Sequence, residues 1–205
     1  IDSSVSSTLS AMTGIKTIAL SMPIKQKSFQ HDLSLKHQEW LIKNFKNVES
    51  HTLNLDELFE TFENTLSNFD SEHGMANSRA RIRMTTLYQV AAANKGIVVG
   101  TGNKVEDFGV GFYTKYGDGG VDISPIADCN KSEVWGIGKS LNILQEIIEA
   151  APTDGLWDDG RTDEGQLGLK YAELEEAMNN ANSINRDKYE KIRKMNLHKM
   201  EPIPV

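Results

Sequence analysis

The chain has 205 residues, of which 39% are hydrophobic and 25% charged, with a formal net charge of −7 at pH 7. This composition is typical of one soluble globular domain and argues against a general nucleic-acid surface, although an acidic protein can still hold a local basic pocket for phosphates. No apolar run approaches the roughly 18 residues of a membrane span, and the lone Cys129 excludes an internal disulfide framework and is typical of a reducing cytoplasm.

The first predicted elements alternate between helix and strand. Residues 4–11 have apolar side chains at helical spacing, and the apolar run at 16–22 (KTIALSM) predicts a buried strand that Pro23 closes. A second helix is predicted over 32–45 and a second strand over 48–55, after which Asp56 is expected to cap a third helix. This order favours βα units.

Three arginines mark the next predicted helix, which runs from Asn77 to a stop at Gly96. Arg79, Arg81 and Arg83 fall in its first turns, where the helix dipole disfavours cations. The pattern therefore indicates a bound anion or a partner carboxylate. For Arg79 and Arg83, a solvated or salt-bridged helix face is an equally good interpretation.

A glycine-dense loop follows a short predicted strand at 97–99. Thr101 and Glu106 come directly after the strand, and Lys115, Asp118 and Asp122 follow within the loop. Open α/β sheets bind their ligands at the carboxyl ends of their strands. We therefore expect this stretch to line a ligand site.

The last third of the chain begins with a capping-box pattern at Asn130 and Glu133, which predicts a helix that continues to Ile148. Lys131 lies in its first turn, where an unfavourable cation indicates a nearby phosphate. Residues 152–168 have no sustained period and predict either a functional lid or a disordered loop. Two further helices are predicted, one around 171–178 and one over the basic segment DKYEKIRKMNLHKM.

Hydroxyls and cations at strand ends and helix starts, interleaved with carboxylates, suit a nucleotide with Mg²⁺. Thr101 and Glu106 are candidates at one strand end. The sequence has neither a Walker A motif nor a GxGxxG turn. From these residues alone, the prediction is an α/β enzyme that acts on a phosphate-bearing ligand.

Seven segments narrow this prediction: NSRARIRM, GTGNKVE, GFYTKYGDGGVD, SPIADCNKSEV, APTDGLW, TDEGQLG and a late HK pair. In this order they resemble the ammonia-dependent NAD synthetases, within the PP-loop ATP pyrophosphatases. The resemblance implies one domain over 1–205 with a Rossmann-like three-layer α/β/α fold and a mostly parallel sheet. The opening IDSS resembles the tail of the family's Ser-Gly-Gly-x-Asp-Ser pyrophosphate loop, so a strand and the start of that loop are expected before residue 1.

The resemblance also implies a two-step reaction. ATP would adenylate the nicotinate carboxylate of deamido-NAD with release of pyrophosphate, and ammonia would then displace AMP to give NAD. The implied cofactor is Mg²⁺, and the implied partners are deamido-NAD, ATP and ammonia. A cytoplasmic homodimer that binds neither nucleic acid nor membrane is expected.

The family's functional residues carry over to matching positions. The implied catalytic residues are Asp2, Lys131, Asp163 and Glu164. The implied ATP contacts are Asp2, Ser3, Thr101, Lys131 and Thr153, and the implied Mg²⁺ ligands are Asp2 and Glu106. The implied deamido-NAD contacts are Arg81, Lys115, Asp122, His198 and Lys199. Relative to the family motif, one extra residue lies between Glu106 and Lys115.

Two alternatives remain open. Another PP-loop enzyme, such as the synthetase unit of GMP synthetase or a tRNA-modifying adenylating enzyme, would share the ATP half but not the KYGDGG and HK matches. An inactive nucleotide-binding or interaction module is consistent with the missing Ser-Gly-Gly. Since the 205 residues contain no nitrilase-like domain, ammonium rather than glutamine is the expected nitrogen donor.

Overall fold

Helices make up most of the structure, a computed structural model that describes residues 1–26, 28–157 and 160–205, with no side chains described at 28–30. The α-helices are α1 (Asp2–Met12), α2 (Ser28–Asn44), α3 (Asp56–Thr65), α4 (Glu72–Ala93), α5 (Lys131–Ser140), α6 (Gln145–Glu149), α7 (Asp163–Leu167), α8 (Tyr171–Asn179) and α9 (Arg186–Met200). A 3₁₀-helix spans Ser67–Phe69, and a π-helix spans Lys104–Val110. The strands are β1 (Thr17–Ser21) and β2 (Val48–Thr52).

All strand pairing in the described residues is parallel. β1 pairs with β2 from Thr17 opposite Val48 to Ser21 opposite Thr52, and α2 is the crossover that parallel neighbours require. A second parallel contact joins Val99 to Ile123. The strands predicted at 16–22 and 48–55 are confirmed in shorter form, whereas the strand predicted at 97–99 is reduced to this single bridge.

Two buried clusters support the region between the strands and the last helices. One joins α1, α5 and α6 through side chains that include Val5, Val134 and Ile147. The other joins the π-helix, α8 and α9 and includes Val105 and Leu174. Trp135 of α5 packs against this second cluster and meets the Tyr171 ring edge-on at 6.0 Å. Helices α1, α5 and α8 are thereby fixed relative to one another.

The predicted start of α4 at Asn77 is wrong. The helix begins at Glu72, because the Ser71 side chain accepts a hydrogen bond from the Gly74 N–H and caps it. The three arginines therefore lie beyond the first turn, and the dipole argument does not apply to them. Each donates to a backbone carbonyl elsewhere: Arg79 to Leu156, Arg81 to Lys115 and Arg83 to Met22.

Two smaller predictions of helix ends are also wrong. The helix predicted to continue to Ile148 is divided into α5 and α6, because Asn142 takes a left-handed conformation (φ 55°) and ends the first helix. Asp56 is the first residue of α3 and not its cap; its carboxylate accepts from the Lys25 N–H. The capping box of Asn130 and Glu133 is confirmed.

Helix α9 covers the end of the π-helix through one face. Arg193, Asn196 and Lys199 recur every three residues, so they share that face. Their side chains donate to three successive carbonyls at 109–111, at 2.7, 3.0 and 2.9 Å. This contact fixes the path of the chain as it leaves the π-helix.

Candidate active site

A buried lysine joins two carboxylates that are far apart in sequence. The Lys131 Nζ lies 2.5 Å from Asp2 Oδ2 and 2.8 Å from Glu106 Oε1, and its side chain is 2% exposed. The same nitrogen lies 4.7 Å from the centre of the Tyr171 ring. We call Asp2, Glu106, Lys131, Asp163 and Tyr171 the Lys131 cluster. Lys131 was predicted to face a phosphate; in this structure it faces carboxylates.

Every member of the Lys131 cluster lies in the first turn of a helix. Asp2, Lys131, Asp163 and Tyr171 are the first residues of α1, α5, α7 and α8, and Glu106 lies in the first turn of the π-helix. Helix starts have unpaired N–H groups and the positive end of the helix dipole. Their convergence favours negative charge at this place, which the two carboxylates supply here.

Asn103 connects two of these helix starts. Its side-chain oxygen accepts from the N–H groups of Val105 and Glu106, at 3.1 and 3.0 Å, and so caps the π-helix. Its Nδ2 donates to Asp2 Oδ1 at 2.9 Å, and the residue is fully buried. Asn103 therefore holds the carboxylate of Asp2 beside the backbone that carries Glu106.

Tyr171 links Glu106 to the predicted lid. Its hydroxyl contacts Glu106 Oε1 and lies 3.2 Å from Asp163 Oδ2. One hydroxyl proton cannot be donated to both carboxylates. Burial, with the nearby charge of Glu106, raises the pKa of Asp163 to about 7. A protonated Asp163 can donate to the Tyr171 oxygen while Tyr171 donates to Glu106.

The charges of the Lys131 cluster stabilise one another. Burial opposes the charge of Lys131, but Glu106 and Asp2 hold its pKa above the ordinary value. Burial likewise opposes ionisation of Asp2, yet the ammonium of Lys131 and hydrogen bonds from Lys131 and Asn103 hold its pKa below the ordinary value. Lys131 and Asp2 therefore both remain ionised at neutral pH.

The Lys131 cluster fits Mg²⁺ as a partial ligand set. Within the described residues, no three His, Cys, Asp or Glu side chains are arranged to enclose a metal ion. Mg²⁺ commonly takes one or two protein carboxylates and completes its shell with water and substrate phosphates. Asp2 and Glu106 supply such a pair, with the Lys131 ammonium between them in this structure.

The π-helix overlaps the segment between Glu106 and Lys115, where the family resemblance predicts one extra residue. A π-helix has a wider turn than an α-helix and so holds an additional residue without moving its flanking anchors. The backbone carbonyl of Glu106 accepts from the N–H of Gly111, five residues later, as this geometry requires. Glu106 stays at the Lys131 cluster while Lys115 reaches α9.

A basic cleft of about 790 Å³ lies beside α4 and the loop after the π-helix. Its lining includes two lysines and three tyrosines: Lys115, Lys199, Tyr88, Tyr113 and Tyr116.

All five residues predicted to contact deamido-NAD lie at this basic cleft or adjoin its lining. Lys115 and Lys199 line it. Lys115 Nζ donates to the His198 carbonyl at 2.8 Å, and Arg81 donates to the Lys115 carbonyl at 3.2 Å. Asp122 accepts from the hydroxyl of Tyr88 and from the Val98 N–H.

The other predicted site residues are more dispersed. Ser3 is exposed on the first turn of α1, and Thr101 is half-buried two residues after Val99. Thr153 Oγ1 donates to the Arg161 carbonyl at 3.1 Å, within the predicted lid. Glu164 Oε1 accepts from the Tyr171 N–H at 3.0 Å and so supports the start of α8. Among the described residues, none of these four side chains contacts the Lys131 ammonium.

The described parts of the predicted lid, 152–157 and 160–168, rest on α4; residues 158–159 lie outside the described residues. Arg79 Nη1 donates to the Leu156 carbonyl at 2.7 Å. The Trp157 ring stacks on His73 at 6.3 Å, with the guanidinium of Arg161 4.0 Å from its centre. The segment leads into α7, whose first residue, Asp163, joins the Lys131 cluster.

Proteins that bind phosphates at helix starts beside a parallel sheet form one broad class, the α/β nucleotide-binding proteins. This chain brings helix starts together in the Lys131 cluster, has a parallel strand pair, and also contains the basic cleft. A family model for NAD synthase matches residues 1–202, and the chain belongs to that family. The predicted family is therefore confirmed.

Similar proteins agree with this assignment. The NH(3)-dependent NAD(+) synthetase of Carboxydothermus hydrogenoformans is 40% identical over 139 residues, which are 66% of this chain and 56% of that protein. The NMN synthetase structure from Francisella tularensis has a TM-score of 0.89 at 31% identity and covers 100% of this chain and 84% of that one. The NH3-dependent NAD synthetase structure from Campylobacter jejuni has a TM-score of 0.75 at 25% identity, with the same coverage.

The chain spans about half the length of several curated relatives that it matches. The structural likenesses, with the parallel strand pairs, confirm the predicted Rossmann-like α/β fold class. No helix in the described residues is both long and apolar enough to span a membrane.

Proposed function

We propose that the protein amidates deamido-NAD with ammonia to give NAD, through an NAD-adenylate, and that ATP is converted to AMP and pyrophosphate. The observation that carries the proposal is the buried contact of Lys131 with Asp2 and Glu106, three residues from separate family motifs. Family membership and the basic cleft support it.

The Lys131 cluster supports a role in the adenylation step. A carboxylate is a poor electrophile, and its adenylate supplies a good leaving group. Converging helix starts and the Lys131 ammonium would stabilise the charge that grows on pyrophosphate. Asp2 and Glu106 would hold Mg²⁺, which supplies further charge stabilisation when bound. Ser3, Thr101 and Thr153 are proposed as the remaining ATP contacts.

The basic cleft supports a role in binding the second nucleotide. Lys115 and Lys199 can neutralise its phosphates, and Arg81 and His198 hold Lys115 in place through backbone contacts. Asp122 is proposed as a polar contact at the cleft margin. Asp163 and Glu164 would bring the lid over the adenylate and so limit its hydrolysis by water.

An isotope experiment on the complete polypeptide tests the reaction. The protein is incubated with ATP, Mg²⁺, ammonium and deamido-NAD whose nicotinate carboxylate carries ¹⁸O. Adenylation predicts NAD, pyrophosphate and AMP that contains one ¹⁸O atom. Formation of ADP with labelled phosphate would contradict the adenylate, and absence of any amide product would refute the activity. Absence of any amide product would also favour the alternative of an inactive nucleotide-binding module. Amidation or adenylation of another PP-loop substrate would instead favour a different enzyme of that group.

The similarity to the Francisella tularensis NMN synthetase favours a second candidate substrate, nicotinate mononucleotide. The same Lys131 cluster would adenylate the same carboxylate, and only the occupancy of the basic cleft would differ. Comparison of kcat/KM for deamido-NAD and for nicotinate mononucleotide separates the two. A higher value for the mononucleotide would replace deamido-NAD as the proposed substrate.

The nitrogen donor, assembly and location are part of the proposal. We infer that ammonium is used directly, and glutamine-supported turnover by this chain alone would contradict that. A homodimer in the cytoplasm is proposed from the family resemblance. Sedimentation of the complete polypeptide as a monomer at micromolar concentration would contradict the dimer.

A further inference from the structure

The three tyrosines of the basic cleft differ in what holds them. Tyr88 donates its hydroxyl to Asp122 Oδ1 at 3.1 Å, and Tyr113 donates its hydroxyl to the Lys199 carbonyl at 2.5 Å. Both side chains therefore contribute to the wall of the cleft through hydrogen bonds within the protein. Tyr116 is 62% exposed, and its ring lies beside the Lys115 ammonium, 5.7 Å from the ring centre.

Tyr116 has a backbone conformation that is unfavourable for its residue type. Its φ is 65°, in the left-handed region that glycine adopts freely and a bulky side chain rarely adopts. The left-handed conformation falls on Tyr116 itself and not on Gly117, the glycine that follows it. Strained residues of this kind occur preferentially at ligand sites.

The surrounding contacts explain why the strain persists. Lys115 is fixed on both sides, since Arg81 donates to its carbonyl and its ammonium donates to the His198 carbonyl. After Tyr116 in the sequence, the Gly117 N–H donates to the Thr114 carbonyl at 2.9 Å. The chain is thus anchored before and after Tyr116, and the ring is presented at the cleft.

We propose that Tyr116 is a substrate-binding residue whose ring stacks on a planar heteroaromatic ring of the second nucleotide. The inference rests on the proposed function and adds a residue that neither the charge pattern nor the family motifs assigned. An exposed ring with a cation at its side, on the wall of a cleft that holds two lysines, offers both a stacking surface and phosphate neutralisation to a nucleotide. A glycine at this position would relieve the backbone strain, but it would offer the base no aromatic ring to stack on.

Three variants separate stacking from a structural role. Tyr116→Phe keeps the ring, Tyr116→Ala removes it, and Tyr116→Gly removes it and also relieves the backbone strain. Phe69→Ala is the matched control, because Phe69 is an exposed aromatic residue, 79% exposed, in the 3₁₀-helix outside the lining of the cleft. Each variant is made in the complete polypeptide and compared by melting temperature and by calorimetric titration with deamido-NAD, nicotinate mononucleotide and ATP.

Stacking predicts a specific pattern. Tyr116→Gly and Tyr116→Ala should weaken deamido-NAD binding by roughly 5- to 150-fold, the range for loss of one base–aromatic stack. Tyr116→Phe and Phe69→Ala should bind as the wild type does, and ATP affinity should stay unchanged throughout. The melting temperature of Tyr116→Gly should not fall below that of the wild type, because the left-handed conformation suits glycine.

The outcomes are distinguishable from failure of the proposed function. An equal loss for deamido-NAD and nicotinate mononucleotide supports the proposal and identifies the pyridine ring as the stacked group; a loss for deamido-NAD alone supports it with adenine as that group. Wild-type affinity in both Tyr116→Gly and Tyr116→Ala overturns the proposal while the function stands. A wild-type protein that binds neither nucleotide refutes both.

Discussion

His37 should make the stability of the fold depend on pH in the acidic range. The ring is buried in α2, stacks on Trp40 at 5.7 Å and has its Nε2 2.9 Å from the hydroxyl of Ser7. Its Nδ1 is buried and has no hydrogen-bond partner among the described residues. Burial lowers the pKa of His37 to about 4 from the ordinary 6.5, because the charged ring would lose its hydration there.

The size and sign of the effect follow from this shift. The folded state binds a proton at His37 less readily than the unfolded state, so between pH 6.5 and 4 the unfolded state holds more protons. The contribution is complete above about pH 6.5 and is lost as the pH falls through 4. A shift of about 2.5 pKa units at 1.36 kcal/mol each corresponds to about 3 kcal/mol of unfolding free energy.

Urea unfolding of the wild type and of His37→Gln at intervals from pH 4 to 8 measures this contribution. The wild type should lose about 3 kcal/mol more than the variant between pH 7 and pH 4, since both share all other titrating groups. His51→Gln, on the exposed face of β2, is the control and should follow the wild type. Parallel profiles for wild type and His37→Gln would refute the reasoning.

Three further predictions concern the site and the core. Glu106→Gln should reduce turnover and raise the Mg²⁺ requirement with little change in deamido-NAD binding; an unchanged Mg²⁺ dependence would remove Glu106 from the metal site. Lys115→Ala should raise the KM for deamido-NAD about tenfold but not that for ATP, and an unaltered KM would make the lysine structural. Leu174→Ala, at a fully buried position, should lower the unfolding free energy by about 2–5 kcal/mol, whereas a loss no larger than that of the exposed Leu58→Ala would contradict its place in the core.

The elements that the sequence predicted well have local signals. β1 is a short apolar run, and the start of α5 has a capping box that the structure retains. The start of α4 was missed because His73 and Gly74, soon after Ser71, weaken the helical pattern before the arginines. Once the start moves to Glu72, the arginines are interior residues with carbonyl partners in three other segments.

The Lys131 cluster was predicted in part. Asp2, Glu106, Lys131 and Asp163 were named from family motifs, and the structure brings them together, while their chemical roles stay predictions. Tyr171 was read only as part of a helix, because its partner Glu106 lies 65 residues earlier and leaves no local pattern.

The position of Asn103 in the sequence was sufficient to predict its role as a helix cap. It lies three residues before Glu106, at the spacing of a helix cap, and its oxygen does cap the π-helix. The π-helix itself could not be predicted from periodicity, since a single wide turn has no repeat.

The contact between α9 and the carbonyls at 109–111 affects the order in which the protein folds during synthesis on the ribosome. These carbonyls are synthesised 84 to 88 residues before the side chains that bind them. At 5–20 residues per second, the interval is roughly 4 to 18 s. During that time the nascent chain lacks Lys199 and the His198 carbonyl that anchors Lys115, so the basic cleft assembles after the parallel β1–β2 pair can already have formed.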